Sequence, residues 1–533
     1  MRYLTRSILI LLALYGLVFA IGAAYIAHVG APLWVALAFP VVMVGIQYLI
    51  GPHLIEWLMD ITWYDEGGGL PLVNRDFVER LCASRGLKVP RIGIIHSGTP
   101  NAFSFGRLRR DARVVVTSGL LEVLTPEESN AVLAHEIGHI EHYDFAVMTL
   151  AALAPLLLYQ FYVYTERINN VRVIAYTAYL CYLLSQFVVL LLNRTREYFA
   201  DHYAAEVTRT PDTLSSALVK IAYGMVRAEG EYQKAMAQGD KEQKSSWRRE
   251  RRLSGALGLM GISNLRSGTA LVLGKANPTE AAAVMRWDLV NPWAKLYELN
   301  STHPLTALRV RELNEQARGM NQAVQYPLPV EERHAPRGFL LEVLVWAAPA
   351  LAVAALGIIF LVPDWLAFFR ITLPTNAKPI LLIVAGVAWM LRVAFRYRGE
   401  FQDANIGSLL EDVEVSQMRP RAARLKGEIL GRGEPGAFWS PDLVLRDSTG
   451  ILFLLYRQSI PFLRFLFALS AAESCIGQEV VVEGWFRRGL APYVEMSKLT
   501  SKDHKTHRAY SRWVQLILAA IAVAIGWLWM HPS

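Results

Sequence analysis

Residues 125–139 read TPEESNAVLAHEIGH and combine a helix start with the spacing of a metal site. Thr125 is a favoured N-cap residue, Pro126 suits the first helical position, and Glu128 completes a capping box three residues after the cap. At 3.6 residues per turn, His135 and His139 lie about 40° apart around the axis and about 6 Å apart along it. Because both imidazoles can reach one ion, the stretch predicts a helix that supplies two metal ligands.

Glu136 lies next to the first of these histidines, where the carboxylate of an HExxH helix can meet the attacking water. A chance pair of buried histidines is the alternative. With 12 histidines and 46 acids in 533 residues, a chance HExxH is expected about 0.02 times, so the motif is specific. The three cysteines, Cys82, Cys181 and Cys475, form no CxxC pair, which leaves histidine and carboxylate as the ligand types for a metal.

A third ligand is available in segment 193–201, which reads NRTREYFAD. Glu197 and Asp201 are four residues apart and share a helix face. Two solvated surface acids are the alternative. The segment continues an apolar helical run and holds Tyr-Phe-Ala between the acids, which favours a buried face. Three protein ligands with an open fourth position are the catalytic zinc pattern, whereas a structural site is closed by four ligands.

Long apolar runs dominate the rest of the chain, which is 53% hydrophobic and only 19% charged, against roughly 25% charged in ordinary soluble domains. Runs of about 20 apolar residues can cross a bilayer. The sixth run is the weakest, because Arg392 would have to snorkel to an interface. The seven predicted spans are Ser7–Ala27, Leu33–Ile50, Phe145–Tyr164, Val173–Leu192, Phe339–Val362, Ile380–Phe395 and Trp513–Met530.

Segment Ile451–Ser470 is apolar on average but is not predicted to span. It contains Pro461 and two arginines, Arg457 and Arg464, which near a span centre would cost roughly 5 to 7 kcal/mol. We interpret it as the core of a soluble module.

Basic residues flank the spans on one side. The positive-inside rule then places the N-terminus and all large polar segments in the cytoplasm, as in a multi-pass inner-membrane protein, and the net charge of +8 fits this reading. A cleaved signal peptide is the alternative for the first run. The flanking residues are Arg2, Arg6, Arg194, Arg196, Arg333, Arg337, Arg396, Arg398, Lys505, Arg508 and Arg512.

Taken together, several short motifs resemble the HtpX-type membrane zinc metallopeptidases, which are relatives of the CAAX prenyl proteases. The resemblance covers about residues 1–317. The motifs are the leading apolar hairpin, Pro100–Phe103 (PNAF), His135–His139 (HEIGH) with Asp144, Arg196–Asp201 (REYFAD), and Ser301–Pro304 (STHP) with Arg309 and Arg311 beyond it.

The resemblance implies a role for each matching residue. The zinc ligands would be His135, His139 and Glu197, with one Zn²⁺ per chain. Glu136 would be the general base, and His303 and Arg309 would be further catalytic residues, His303 beside the oxyanion. An exposed surface arginine is the alternative for Arg309. Asp201 would hold a ligand imidazole in its proper tautomer.

A substrate-binding strand is the other implied feature. Residues 112–117 are predicted to form a strand after a turn segment at 100–106. In the family the corresponding edge strand pairs with extended substrate, so Asn101, Val114, Val115 and Val116 would bind the substrate backbone. An ordinary core strand is the alternative.

Residues 396–512 depart from the family's minimal form. Five short strands, a turn at Asp447–Gly450 and an apolar helical stretch after Pro461 predict a small OB-like barrel. Its sequence shows no aromatic and basic stripe, so we expect a docking or stabilising module and no nucleic-acid partner. The predicted strands are Leu425–Leu430, Leu443–Leu445, Ile451–Tyr456, Val480–Trp485 and Tyr493–Met496.

The predicted fold is a mostly α membrane protein with about seven transmembrane helices, an α-rich gluzincin-type zinc peptidase domain with a small β-sheet, and the all-β barrel. The predicted parts are a transmembrane hairpin (1–59), the peptidase domain in two segments (60–144 and 193–337) around a second hairpin (145–192), a transmembrane pair (338–395), the cytoplasmic barrel (396–512) and a last transmembrane helix (513–533).

The expected function is zinc-dependent cleavage of peptide bonds at the cytoplasmic face, with membrane proteins as substrates and the bilayer as partner, in membrane-protein quality control. A CAAX-type prenyl-protein protease and a non-catalytic adaptor that uses the barrel are the alternatives. The sequence leaves the oligomeric state open.

Overall fold

The computed structural model describes most of the chain. The described residues are 30, 32–64, 71–166, 168, 172–222, 277–329, 338–361, 374, 376–432, 441–489, 492–502 and 505–531. They divide into two compact units: one holds the described residues before 223 with 277–288 and 295–329, and the other holds 289–294 and the residues from 338 onward. The predicted span Ser7–Ala27 and the flanking Arg2, Arg6, Arg333 and Arg337 lie outside the described residues.

The N-terminal elements are mainly helical with one small sheet. In chain order they are α1 (Leu33–Leu58), β1 (Thr62–Trp63), α2 (Leu72–Ser84), β2 (Arg91–Ile95), β3 (Ala102–Phe105), β4 (Arg113–Thr117), α3 (Ser118–Val123), α4 (Pro126–Glu141), α5 (Asp144–Thr165), α6 (Arg172–Thr208), α7 (211–222), α8 (Pro278–Val290), α9 (Pro292–Glu298) and α10 (Thr306–Gly319).

Helix α4 begins as its sequence predicts. Thr125 Oγ1 accepts from the Glu128 amide (3.3 Å), and Glu128 Oε2 accepts from the Thr125 amide (2.9 Å), which completes the capping box. Gly138 then lets α6 approach closely, because a Cβ there would lie 3.1 Å from the Tyr203 ring and 3.3 Å from the Ala200 Cα. This contact brings the two ligand-bearing helices together.

The sheet has the strand order β1-β2-β4-β3, with β4 parallel to β2 and antiparallel to β3. The prediction that Val114, Val115 and Val116 form a substrate-binding edge strand is therefore wrong, because β4 is paired on both sides. Its side chains are all buried, as is typical of an interior strand. The edge next to β4 is β3, which lies within the segment 100–106 that had been assigned to a turn.

Six of the described helices are long and apolar enough to cross a bilayer, and they match the second to seventh predicted spans. Helix α6 continues beyond the apolar run through Glu197 and Asp201, as segment 193–201 predicts. At 1.5 Å per residue its 37 residues reach about 55 Å, against about 30 Å of bilayer hydrocarbon. One helix therefore joins the membrane to the predicted site.

The C-terminal elements comprise three of these apolar helices and a second sheet. They are α11 (Phe339–Leu361), α12 (Ala377–Arg396), β5 (Gln402–Asp403), α13 (Ile406–Leu410), β6 (Arg421–Arg432), β7 (Leu443–Arg446), β8 (Ile451–Leu455), α14 (Pro461–Ser470), β9 (Glu479–Arg487), β10 (Tyr493–Ser501), β11 (Thr506–Arg508) and α15 (Ser511–Met530).

Helices α12 and α15 pack against each other as an antiparallel pair. A Cβ on Gly386 would lie 2.8 Å from the Ala519 oxygen, and one on Gly526 would lie 3.0 Å from the Pro379 oxygen. As the residue numbers increase along α12, the numbers of the residues that they contact on α15 decrease. Small residues allow such close approach between apolar helices. This packing supports α12, the weakest predicted span, as a membrane helix.

Five strands of the second sheet form a closed barrel. Their order is β6-β7-β8-β10-β9, and β9 returns to pair with β6. Only β8 and β10 are parallel among these pairs, and α14 lies between β8 and β9 in the chain. Strand β6 pairs with β9 over Arg421–Glu428 and with β7 from Glu428 onward, and a Cβ on Gly427 would lie 2.3 Å from the Arg446 oxygen. The structure confirms the predicted OB-like barrel.

A buried ion cluster lies where the barrel meets the end of α12. Glu495 accepts hydrogen bonds from Arg487 Nε (3.0 Å), Arg396 Nη2 (3.2 Å) and the Tyr397 hydroxyl. Burial alone would raise the pKa of Glu495, but Arg487 and Arg396 hold it below its ordinary value. Arg487 also donates to the Gln417 oxygen (2.8 Å) and the Arg396 oxygen (2.5 Å).

Segment Ile451–Ser470 divides into β8 and α14, so it does not span, as predicted. Its interpretation as core is correct only in part. Strand β8 belongs to the barrel wall, whereas α14 buries Phe467 and Ala468 and leaves a row of large apolar side chains exposed.

Candidate active site

Three predicted ligands converge between α4 and α6. His135 Nε2 lies 3.2 Å from His139 Nε2, and Glu197 carboxylate oxygens lie 3.6 Å from each of these nitrogens. Nitrogens that bind one tetrahedral zinc at about 2.0–2.1 Å are about 3.3 Å apart. Among the described residues these three form the one His, Cys, Asp or Glu group with metal-binding spacing.

A carboxylate oxygen lies close to the outer nitrogen of each imidazole. His135 Nδ1 lies 2.9 Å from Asp201 Oδ1, and His139 Nδ1 lies 2.6 Å from Asp144 Oδ2. A carboxylate partner keeps the proton on Nδ1 and leaves the Nε2 lone pair for a metal. Two lone pairs 3.2 Å apart beside a carboxylate would repel each other, and a cation bound between them would relieve this repulsion.

When no metal is bound, a proton on His135 can lie between the two imidazoles and Glu197. Burial would lower the pKa of His135, but hydrogen bonds to Asp201 and Glu197 outweigh burial and raise it to about 9. Metal binding to imidazole must displace such a proton.

The turn between α4 and α5 brings Asp144 back to His139. Tyr143 adopts a left-handed backbone with φ 58°, which is uncommon for a residue other than glycine. Arg109 braces this turn: its guanidinium lies 3.9 Å from the Tyr143 ring centroid, and its Nε donates to the Glu141 oxygen (2.9 Å). Arg196 Nη1 lies 3.3 Å from Asp144 Oδ2 and compensates its charge.

Arg309 on α10 is buried, with 2% of its surface exposed, so the alternative of a surface arginine does not apply. Its Nε and Nη2 donate to the two Asp201 oxygens at 2.7 and 2.6 Å, and Nη1 lies 3.6 Å from Glu197 Oε2. Burial alone would lower the pKa of Arg309, but Asp201 and Glu197 raise it above its ordinary value. In this geometry Arg309 orients the two carboxylates.

His303 reaches the site from the loop before α10. Its Nδ1 lies 3.3 Å from Glu197 Oε2. Two residues of α6 hold this loop: Arg194 Nη1 donates to the Glu298 and Ser301 oxygens (2.6 and 3.1 Å), and Asn193 Nδ2 donates to the Thr302 oxygen (2.6 Å). The helix that carries Glu197 therefore also positions His303.

The charges of the site fit a divalent cation. Three buried carboxylates, those of Glu197, Asp201 and Asp144, contact the guanidinium groups of Arg196 and Arg309. Excess negative charge remains when both histidines are neutral. An uncompensated buried charge is costly, so the charges of this site favour a bound positive ion.

Asn101 lies at the start of β3 and not on a surface. Its backbone nitrogen donates to Thr117 Oγ1 (2.8 Å), and its oxygen accepts from the Thr117 amide (2.9 Å). These bonds fix the beginning of β3 beside β4. Asn101 therefore shapes the edge strand from within the sheet.

Sequence reasoning gave no role to Asp144, Arg196 or Arg194. Asp144 and Arg196 stood in the quoted motifs, and the five-residue step from His139 to Asp144 could have pointed to a partner, as an acid often supports a ligand histidine. Arg194 was counted only as a basic flank of a span. Its contacts to the His303 loop join residues more than 100 positions apart, which a single sequence does not show.

Comparison with known proteins gives consistent matches over the part of the chain that holds this site. The description "Peptidase family M48" fits residues 74–317. A "Protease HtpX homolog" of Methanothermobacter thermautotrophicus is 38% identical over 221 residues, which cover 40% of this chain and 84% of that protein. A homologue of the same name from Moorella thermoacetica is 34% identical over 204 residues, 36% of this chain and 68% of that protein.

A crystal structure of S. mikatae Ste24p superposes with a TM-score of 0.36 at 17% identity, over 58% of this chain and 64% of that one. The family follows from the sequence relatives, from the family description that fits residues 74–317 and from the apolar helices. The chain belongs to the HtpX-type membrane peptidases of peptidase family M48.

Proposed function

We propose that this peptidase is a zinc-dependent endopeptidase that cleaves membrane proteins at the cytoplasmic face of the membrane. The observation that carries the proposal is the convergence of His135 Nε2, His139 Nε2 and a Glu197 oxygen at a buried site with excess negative charge. Three protein ligands leave a fourth position for water or substrate, as in catalytic zinc sites.

A bound zinc ion would supply Lewis acidity toward the scissile carbonyl and lower the pKa of the attacking water. Glu136 takes the proton from that water and passes it to the leaving amine. His303 donates a hydrogen bond to the oxygen that becomes negative in the transition state. Asp201 and Asp144 keep the two ligand imidazoles in the required tautomer, and Arg309 orients Asp201.

Strand β3 is the substrate-binding element that the topology favours. Within the described residues it pairs with β4 alone, so its other edge can accept the backbone of an extended peptide. Backbone pairing selects extended substrates with little dependence on side chains. Peptides N-methylated near the scissile bond should therefore be cleaved much more slowly than their unmethylated counterparts, and equal rates would contradict this role.

Helix α6 supports membrane proteins as the substrate class. Glu197 lies five residues beyond Leu192, the end of the predicted apolar run, which is about 8 Å along the helix. Substrate therefore reaches the site close to the bilayer surface. The basic flanks of the spans support the cytoplasmic face. The role in quality control rests on the resemblance to the HtpX-type peptidases.

The Glu136→Gln variant tests the mechanism. We expect about one zinc per chain in both the wild type and this variant, with cleavage lost only in the variant, because glutamine cannot accept the proton. Glu127→Gln changes an exposed acid of the same helix and should leave both zinc content and cleavage unchanged. Full activity of Glu136→Gln would refute the mechanism.

Two further experiments address the face and the substrates. A reporter fused after Arg398 should be cytoplasmic and one fused at Ser533 should be on the other side, and the reverse result would refute the orientation. Mass spectrometry of proteins trapped by the inactive Glu136→Gln variant should be enriched in membrane proteins. A prevalence of soluble or prenylated proteins would exclude the proposed substrate class.

A further inference from the structure

Helix α14 carries an exposed apolar face that the barrel does not use. On its inner side Phe467 stacks on Tyr456, with 4.0 Å between ring centroids, and Ala468 is buried. The outer residues recur at the three- and four-residue spacing of one helix face. They are Phe462 (67% exposed), Phe465 (48%), Leu466 (49%) and Leu469 (48%).

This face lies beside the point where α15 begins. Ser459, two residues before α14, has its Oγ 3.3 Å from Ser511 Oγ at the first residue of α15. Gln458 Oε1 accepts from the Tyr510 amide (3.0 Å). The middle of α14 stays near the same region, because the Phe467 ring lies 5.3 Å from the His507 ring. The whole of α14 is therefore held close to the start of a membrane helix.

The same place is rich in aromatic and basic side chains. Tyr510 and Trp513 are exposed at the start of α15, as in the aromatic belts at membrane interfaces. A cleft of about 420 Å³ between the barrel and α15 is lined by Arg457 and Arg464 together with Asp442. Asp442 Oδ1 accepts from the Tyr456 amide (2.9 Å). Two guanidinium groups against one carboxylate favour an anionic neighbour.

The length of α14 and its exposed apolar area indicate what covers this face. Ten residues reach about 15 Å, too short to cross about 30 Å of hydrocarbon. Four half-exposed Phe and Leu side chains offer on the order of 400 Å², whereas a stable protein interface needs about 800 Å² from each partner. A short helix with one apolar face and basic neighbours matches the properties of interfacial helices.

We propose that α14 is an interfacial helix, which lies flat in the boundary between headgroups and acyl chains beside the entry of α15. Its occupant is the bilayer itself, and Arg457 and Arg464 bind the phosphates of anionic lipid headgroups. The barrel is thereby fixed to the membrane surface by α14 as well as by its two connecting helices, α12 and α15.

Nitroxide labels in the full-length protein, reconstituted in phosphatidylcholine vesicles with one third phosphatidylglycerol, test the depth of α14. Cys181→Ser removes the exposed native thiol, since Cys82 and Cys475 are buried. Phe465→Cys then carries the label on the apolar face. The matched control is Ser448→Cys, an exposed position at the β7–β8 turn, at the far end of β8 from α15.

For each label we compare the rate of collision with oxygen to the rate of collision with a water-soluble nickel chelate. We expect this ratio to be at least about fivefold higher at position 465 than at position 448, as for a site about 5–10 Å into the interface. Equal accessibility at the two positions would overturn the proposal. Shielding from both reagents, with dipolar broadening between labels, would show a second copy on α14 and would also overturn it.

The arginines are tested by lipid composition. In vesicles of phosphatidylcholine alone, the label at position 465 should lose oxygen accessibility relative to the anionic mixture, and Arg457→Gln/Arg464→Gln should abolish this dependence on composition. An unchanged dependence in the double variant would refute headgroup binding by these arginines. The accessibility measurements do not depend on protease activity, so their outcome is independent of the proposed function.

Discussion

Both units contain a buried cluster of arginines and carboxylates, but the two clusters differ in their charge balance. In the barrel, Glu495 is surrounded by Arg487 and Arg396, and Arg487 also donates to backbone oxygens. In the peptidase site, the three carboxylates of Asp144, Asp201 and Glu197 contact two guanidinium groups, and the two imidazoles add only lone pairs. The barrel cluster therefore carries excess positive charge, to which backbone oxygens are hydrogen-bonded, whereas the peptidase cluster carries excess negative charge.

The difference shows how a functional cluster can be told from a structural one. Buried charges persist in proteins when they are paired or hydrogen-bonded, and excess negative charge beside two imidazole lone pairs indicates a missing cation or a reactive group. Burial and hydrogen bonds alone would not separate these two clusters, since Arg487 and Arg309 are both almost fully buried. The sign and number of the charges separate them.

Among the variants that test the difference between the two clusters, Glu197→Gln should have the largest effect on zinc content and cleavage. The amide keeps the shape of the side chain but removes the excess negative charge and one ligand, so we expect zinc content to fall close to zero and cleavage to fall by at least about 10³-fold. Zinc analysis of the purified membrane protein and a peptide-cleavage assay check this. A variant that keeps its zinc would show that Glu197 is not a ligand.

Glu495→Gln should have the opposite pattern. It leaves Arg487 buried without its carboxylate, which typically costs about 3–5 kcal/mol, so the barrel should unfold at lower temperature or denaturant concentration. Zinc content should stay at about one per chain. Limited proteolysis measures the stability of the barrel, and zinc analysis measures the metal content separately. Loss of zinc in this variant would contradict the division into a structural and a functional cluster.

Asp144→Asn should weaken zinc binding without abolishing it. The loss of the carboxylate partner of His139 typically costs about 10- to 100-fold in metal affinity. Competition with a chelator of known affinity measures this change. Glu141→Gln, three residues earlier at the end of α4, is the matched control and should leave the affinity unchanged. Identical affinities in the wild type and Asp144→Asn would remove Asp144 from the metal site.

Arg194→Lys should have the smallest effect. Lysine keeps the charge but cannot reach both the Glu298 and Ser301 oxygens as a guanidinium does, so the loop with His303 should be less well placed. We expect kcat to fall by about 3- to 10-fold with zinc affinity unchanged, because His303 acts in the transition state. A change in zinc affinity with constant kcat would contradict this role.

Much of the fold could be predicted from local sequence signals. Apolar runs gave the membrane helices, the Thr125 capping box gave the start of α4, and alternating residues with turn signals gave the barrel strands. The edge strand could not be predicted in this way. Val114, Val115 and Val116 indicate a strand, but strand order depends on long-range pairing that a short apolar run does not encode.

The candidate site shows the same division. The spacing of His135 and His139 on one helix, and of Glu197 and Asp201 on another, placed these residues on common faces. The partnership of Asp144 with His139 depends on the left-handed Tyr143, and the link from Arg194 to the His303 loop depends on tertiary packing. Neither the backbone turn nor the loop contact leaves a periodic pattern in the sequence.

The antiparallel packing of α12 and α15 makes the barrel an insertion within a helical hairpin. Its two connections, at Arg396 and Ser511, leave neighbouring helices whose axes are about 8–10 Å apart. A loop of a few residues could bridge that gap, so the barrel occupies the place of a hairpin loop. The order and direction of the two membrane helices therefore do not depend on the length of the chain between them.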